Sequence, residues 1–279
     1  MFKKKKSMIG LIVILSVVVF RLSPVYYAAR SLVVMWPYSL HHQRMSLLSQ
    51  NDYSIRMPAG IGRDQRDWHP LMIVFHEEHG FSRWRDEPWS LTVLYRFGGF
   101  KPFRRSSNYY DPTAVNYSSF YGAYLVQNKE DEGQPFGFNH EGVMIPEDWM
   151  TVTEFDQRFL VMPSLGLPSD QVIFDVEMQE IEEDVTYLGR DGWTRVDAMI
   201  ITNSPQHRKT EKKQGYLQFG PPISPPEGVL DFAPVTLHGR IYAIYVEEYR
   251  LSLGLYILAP DKAEVQNVDH THLSRTRIP

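Results

Sequence analysis

The sequence predicts a mainly β or α+β protein, in which a single antiparallel, β-rich extracytoplasmic domain follows an N-terminal transmembrane helix. Two observations support this fold. Four lysines, Lys3 to Lys6, stand directly before the uncharged run Met8 to Phe20. Later in the chain, short β-branched and aromatic runs are separated by turn residues. They lack the regular alternation of strands and helices that parallel sheets need.

The N-terminal segment decides where the rest of the chain lies. A basic cluster is retained on the cytoplasmic side of a membrane while the apolar run after it inserts. We therefore expect a cytoplasmic basic segment at 1–7, an uncleaved signal anchor at 8–29 and a juxtamembrane segment at 30–50. A cleaved signal peptide is the alternative, because the apolar core is short enough for one. Cleavage after Ala28 or Ala29 would, however, put a bulky tyrosine at the third-last position.

Composition limits the classes of partner and cofactor. The formal net charge is −4, and the first thirty residues contain six basic and no acidic side chains, so the remainder carries −10. An acidic domain is a poor partner for phosphate backbones, and we expect no nucleic acid binding. The chain has no phosphate loop or Gly-x-Gly-x-x-Gly sequence, which argues against nucleotides. It also has no cysteine. Disulfides and thiolate metal sites are therefore excluded, and we expect no cofactor.

Residues 51–259 are predicted to form one β-rich domain. Eight β-prone runs are bounded by proline, glycine or charge, namely 70–76, 89–97, 117–127, 172–178, 185–188, 193–202, 239–246 and 251–258. The last two runs cannot bury a core alone, so we expect them to return to the main sheet. The final residues, 260–279, are polar and without periodicity, and they predict a flexible tail.

Pro146 to Val161 is the best helix candidate. Pro146 suits the first helical position, and the two acids that follow it suit the positive end of the helix dipole. Apolar residues then recur at spacings of three and four. They are Trp149, Val152, Phe155, Phe159 and Leu160. Pro163 and Gly166 are predicted to end this helix.

The clearest predicted hairpin joins Val185–Leu188 to Trp193–Thr202. The connection is Gly189-Arg190-Asp191-Gly192, and we place the turn at Asp191 and Gly192. Both residue types tolerate the positive φ that a tight hairpin turn requires. The sequence therefore predicts two adjacent antiparallel strands in this part of the chain.

Two groups of residues are candidates for catalysis. His76, Glu77 and His79 stand at a predicted strand end, where alternate side chains share a face and each pair offers a metal one nitrogen and one oxygen. The spacing differs from the His-Glu-x-x-His helix motif, so we assign no metal site and expect a charged strand end. An acidic group supplies carboxylates that suit glycoside hydrolysis only in a buried pair. We expect a solvated edge instead, because charge runs usually face water; its members are Glu177, Glu180, Glu182, Glu183 and Asp184.

Tyrosines supply the candidate binding surface. Aromatic residues are concentrated between Trp68 and Tyr124, and exposed rings of this kind stack on sugars or anchor protein interfaces. The binding candidates are Tyr109, Tyr110, Tyr117 and Tyr121. Because aromatic residues are also ordinary strand formers, the alternative is that these rings fill a β core.

The function predicted from the sequence is binding rather than catalysis. We expect a single-pass protein of the cell membrane, held by its N-terminal helix, whose C-terminal domain lies outside the cytoplasm. The expected partner is another envelope protein or a cell-wall glycan. The alternative is a membrane-tethered or secreted hydrolase that uses His76, Glu77 or His79 with a metal or water.

Overall fold

One seven-stranded antiparallel sheet forms the centre of the computed structural model, which describes residues 2–22, 29, 33, 37, 40–58, 71–75, 80–97, 109, 112–128, 130, 133–205 and 232–279. The strands are β1 Leu71–Phe75, β2 Trp89–Phe97, β3 Phe120–Asn128, β4 Phe174–Tyr187, β5 Arg190–Asn203, β6 Pro234–Val246 and β7 Leu251–Ala259. The helices are α1 Phe2–Leu22, α2 Leu47–Gln50, α3 Phe81–Arg85, α4 Pro146–Phe155, α5 Met162–Leu165 and α6 Lys262–Thr271. The predicted antiparallel α+β fold is confirmed.

The strand order is β1-β2-β3-β7-β6-β5-β4, so two meanders meet where β3 pairs with β7. In that pair Leu125 lies opposite Leu253, and Phe120 lies opposite Leu258. Every described residue of both strands is buried. Successive side chains of a strand point to opposite faces, so a strand covered on both faces reads as a continuous apolar run. The prediction that the last two runs return to the main sheet is confirmed.

A helical layer covers one face of the sheet, which we call the helix face. It consists of α4, a π-helical turn at Asp156–Val161, and α5. The predicted helix is therefore confirmed, and it ends at Gly166, whose φ of 104° suits a glycine cap. The ring of Trp149 lies against Gly254 of β7, where an added Cβ would come within 2.4 Å of the ring. Only glycine permits this close approach of helix and sheet.

The π turn changes which side chains of this helical layer face the sheet. A π turn takes in an extra residue, so the apolar stripe shifts around the axis after Phe155. Gln157 is consequently buried beside Asp156, which lies four positions after Val152, while Phe159 is 37% exposed. The prediction that Phe159 shares the buried stripe was wrong, because it assumed regular α-helical spacing to residue 161.

The N-terminal and C-terminal segments cover the opposite face of the sheet, which we call the terminal face. Residues 40–58 cross β2, and the backbone N–H of Leu47 donates to Thr92 Oγ1 at 3.0 Å. Arg56 and Arg277 form a two-way backbone bridge that joins the two segments. The prediction of a flexible tail at 260–279 was wrong. Asp261 caps α6 by accepting from the N–H of Glu264, and the helix buries Val265 and Val268.

The predicted hairpin is confirmed, but its turn lies elsewhere. Tyr187 pairs with Arg190, which leaves Leu188 and Gly189 as a two-residue turn with φ values of 51° and 77°. Two positive φ values are those of a type I′ turn, which suits the twist of adjacent strands. Gly192 also has a positive φ, of 82°, but it lies within β5.

Strand β4 is one edge of the sheet, and its exposed acids are the solvated edge that the sequence predicted. The acidic residues Glu177, Glu180, Glu182, Glu183 and Asp184 are all exposed. The ladder with β5 also shifts register at three places along the strand. Bulges and charge of this kind discourage another strand from pairing with the edge.

Helix α1 comprises the lysine cluster and the apolar run that follows it. Among the residues that the structure describes, no helix combines the length and the apolar character needed to cross a membrane. The predicted span at 8–29 is therefore not confirmed, since α1 ends at Leu22 and residues 23–28 lie outside the described residues.

We predict that Gly189→Val destabilises the domain by about 1–3 kcal/mol, because valine does not tolerate the positive φ of the turn. Nothing lies within 4 Å of the position of an added Cβ, so any loss reports the backbone conformation rather than a clash. Urea unfolding of this variant, of a control variant and of the parent chain measures the loss of stability. The control Glu177→Val places the same side chain at an exposed position of β4 and should change stability by less than about 0.5 kcal/mol. Equal losses in the two variants would contradict the turn assignment.

Candidate functional site

The structure places two of the predicted binding tyrosines in the core. Tyr109 is 1% exposed and packs edge-on against Phe120, with ring centroids 6.1 Å apart. Tyr121 is fully buried on the terminal face, where its hydroxyl donates to the carbonyl oxygen of Pro58 at 2.8 Å. The expected exposed surface was wrong for these two rings, because both are packed in the core.

Of the other predicted site residues, the structure describes only Tyr117. Tyr117 is half-buried, and burial raises the pKa of its hydroxyl. Tyr110 lies outside the described residues, as do the catalytic candidates His76, Glu77 and His79. The described part of the chain contains no group of three or more metal-ligating side chains.

The most unusual buried group on the helix face is the carboxylate of Asp156. It stands at the start of the π turn and is 0% exposed. The hydroxyl of Tyr124 donates to Oδ2 at 2.9 Å, and the hydroxyl of Tyr95 donates to Oδ1. π turns occur frequently at functional sites.

Burial controls the electrostatics of this cluster. Desolvation raises the pKa of Asp156 to about 7, although hydrogen bonds from Tyr95 and Tyr124 lower it in part. Burial and the nearby carboxylate also raise the pKa values of both tyrosines. Tyr256 stacks on Tyr124 at 4.1 Å and donates to the carbonyl oxygen of Leu94 at 3.1 Å. The cluster is therefore a polar network in the core, in which the side chain of Asp156 is not exposed to solvent.

A second buried network lies on the terminal face around Arg240. Its guanidinium donates to both carboxylate oxygens of Asp197, at 2.6 and 2.7 Å, and to Asp269 at 2.9 Å. Asp269 belongs to α6 and also accepts from the hydroxyls of Tyr187 and Tyr242. This network fastens α6 to the sheet, because each buried charge finds a partner of opposite sign. It is a structural network rather than a site.

The best candidate for a binding site is an open cleft of about 440 Å³ on the terminal face. It lies between the N-terminal segment and β2, and its walls come from Gln43, Leu48, Ser49, Asp52, Tyr53, Ser54, Ile55, Arg56, Met57, Leu94, Tyr95 and Arg96. Ligand sites typically measure about 300–1,000 Å³ and combine apolar walls with a few polar groups. Both the size and the composition of this cleft suit a small ligand.

Arg96 is the unusual residue of the cleft. It is half-buried, and its Nε and Nη1 atoms are buried with no hydrogen-bond partner among the described residues. Its Nη2 atom donates to the carbonyl oxygen of Met57 at a long 3.5 Å. Tyr53 presents a second unpartnered group, a buried hydroxyl, and burial raises the pKa of Tyr53 to about 12.

Sequence reasoning missed both Asp156 and Arg96, although each left a signal. Asp156 follows Val152 by four positions, so it continues the apolar stripe of α4 with an acid. Arg96 follows Leu94 by two positions, so the period of a strand puts it on the face of an apolar residue. A charge at an inward-facing position requires either a partner or a function.

Comparison with known proteins adds no assignment. No protein family, curated protein or solved structure matches the chain.

We predict that the free energy of unfolding falls as the pH rises from about 4 to about 7. The folded-state pKa of Asp156, about 7, lies above the ordinary value of 3.8. Between these values the native state holds a proton that the unfolded state has lost, so rising pH favours unfolding. The loss should be on the order of a few kcal/mol. Urea unfolding at several pH values measures it.

Asp156→Asn should remove most of this slope, because asparagine does not titrate and its amide still exchanges hydrogen bonds with the two tyrosines. The matched control is Asp170→Asn, which changes an exposed aspartate. The control should unfold with the pH dependence of the parent chain. If the parent and Asp156→Asn had the same slope, Asp156 would not be the titrating group.

Proposed function

We propose that the chain is a membrane-attached binding protein rather than an enzyme, with its folded domain displayed outside the cytoplasm. The observation that carries this proposal is the exposure of α1. All of its large apolar side chains from Ile9 to Phe20 are 45–62% exposed. A helix that is apolar on every side belongs in an apolar environment, either a protein core or a lipid layer. The folded domain does not cover these side chains, so a lipid layer is the environment that suits them.

The energetics favour insertion. Burying one large apolar side chain contributes about 1.5–3 kcal/mol, and α1 has ten of them between Ile9 and Phe20. The run Met8 to Phe20 is about 20 Å long as a helix, against a hydrocarbon layer of about 30 Å. The stems of Lys3 to Lys6 can extend along the lipid while their ammonium groups reach the headgroups. Retention of this basic end in the cytoplasm would direct the following domain outward.

Binding suits the described domain better than catalysis does. Its large cleft contains two arginines, Arg56 and Arg96, an exposed Asp52 and no histidine. The buried carboxylate of Asp156 is closed off from solvent. The cleft therefore offers recognition groups without a paired nucleophile and base. An envelope protein or a cell-wall glycan stays the expected partner of the whole domain.

We predict that Ile14→Asp moves the full chain from the membrane fraction into the soluble fraction of cells. A charged residue at the centre of an inserted helix costs roughly 2.5–3.5 kcal/mol. Immunoblotting of carbonate-washed membranes measures the distribution. The control Ser16→Ala makes the same helix slightly more apolar and should leave the chain with the membranes.

Protease added to intact cells tests the orientation separately. The domain after residue 40 should be digested if it lies outside the cytoplasm, and it should survive if it lies inside. A parent chain found wholly in the soluble fraction would contradict the membrane proposal, and a protected domain would contradict the orientation alone.

A further inference from the structure

We propose that the cleft between residues 43–57 and β2 binds an amphiphilic anion, in which a carboxylate or phosphate group pairs with Arg96 and an apolar body lies along the cleft walls. This inference rests on the proposed binding function and names the class of ligand. Three features of the cleft support it: an arginine without a carboxylate partner, an apolar lining, and a surplus of positive charge.

The arginine is exceptional within the described residues. Four other arginines with side chains no more than 25% exposed each have an acidic partner within 3.3 Å; they are Arg85, Arg158, Arg195 and Arg240. Among the described residues Arg96 has no acidic partner, and two of its guanidinium nitrogens are buried with no acceptor there, so an anion in the cleft would pair with the charge of the guanidinium rather than with those two atoms. A partly desolvated charge of this kind is costly unless an opposite charge joins it. Oxygen atoms of a carboxylate or phosphate are the acceptors that guanidinium groups pair with best.

The apolar lining of the cleft indicates what kind of molecule carries the anionic group. Leu48, Ile55, Met57 and Leu94 give the cleft apolar walls, and an inorganic ion would leave these walls in contact with water. A volume of about 440 Å³ is much larger than an isolated carboxylate or phosphate requires. An apolar body of several carbon atoms would fill the remainder and gain roughly 0.8 kcal/mol for each buried methylene group.

The remaining polar groups agree with a negative ligand. Arg56 adds a second positive charge and Asp52 one negative charge, so the ionised side chains of the cleft sum to +1. The unpartnered hydroxyl of Tyr53 is a further donor. The domain as a whole is acidic, which makes this cleft a local exception to its charge.

The test measures the binding of decyl phosphate to the full chain in nanodiscs of zwitterionic phosphatidylcholine, by equilibrium dialysis with radiolabelled ligand. Saturable binding at one site per chain is expected. Decanol lacks the charge and inorganic phosphate lacks the chain, so each should bind at least tenfold more weakly. Nanodiscs that contain anionic phosphatidylglycerol distinguish the source of the ligand. Competition by that lipid indicates a membrane lipid headgroup, and its absence indicates a soluble amphiphile.

Two variants connect this binding to the cleft. Arg96→Met should weaken decyl phosphate binding at least tenfold and raise the urea midpoint without ligand, because it removes a charge that has no partner. Met57→Trp should block binding by filling the cleft while it retains Arg96. The control Arg83→Gln removes an exposed charge on the helix face of the sheet and should bind like the parent chain.

Two results would overturn the inference. One is decyl phosphate binding that neither Arg96→Met nor Met57→Trp weakens, and the other is the absence of saturable binding to the parent chain. Each leaves the membrane proposal standing, since that proposal depends on fractionation of the Ile14→Asp variant.

Discussion

The backbone ladder between β3 and β7 is the interaction on which the rest of the structure depends. It joins the β1-β2-β3 meander to the β4-β5-β6-β7 meander, and it places two strands that are buried on both faces at the centre of one sheet. A sheet with two apolar faces needs a cover on each. The helical layer between β3 and β4 supplies one cover. The segments that flank the strands, residues 40–58 and α6, supply the other, so both ends of the domain pack against its centre.

Because both faces of the sheet are covered, charged side chains inside the domain lie away from water. Three of them illustrate different arrangements. Asp156 is held by tyrosine hydroxyls and has a raised pKa, so a proton compensates the burial of the carboxylate. Arg240 is neutralised by Asp197 and Asp269, which also fasten α6. Arg96 has no acidic partner among the described residues. The first two charges are therefore compensated within the described part of the domain, and the third is not.

The strands could be predicted from the sequence because their signal is local. Trp89–Phe97 was predicted to the residue, and the predicted run 251–258 matches β7, Leu251–Ala259, to within one residue. Properties that depend on tertiary contacts could not be predicted. The α6 helix has only a few apolar residues, and its order comes from the Asp269 network and from packing on β6 and β7. Whether Asp191-Gly192 or Leu188-Gly189 forms the hairpin turn depends on the register of β4 against β5. Residue preferences alone do not determine that register.

The candidate site was hidden from the sequence for the same reason. Tyrosine-rich strands are compatible with either an exposed binding surface or a buried core. Tyr121 is buried because the N-terminal and C-terminal segments cover its face of the sheet. Arg96 lies in a strand that was correctly predicted. Its role as a candidate depends on having no acidic side chain near it among the described residues. A sequence pattern does not show which side chains are neighbours in space.

The position of the cleft follows from how the N-terminal segment is fastened. Residues 43–57 are held at one end by the Leu47–Thr92 hydrogen bond and at the other by the Arg56–Arg277 bridge. Where the side chains of this segment do not reach the sheet, a space is left between the two. That space is the cleft.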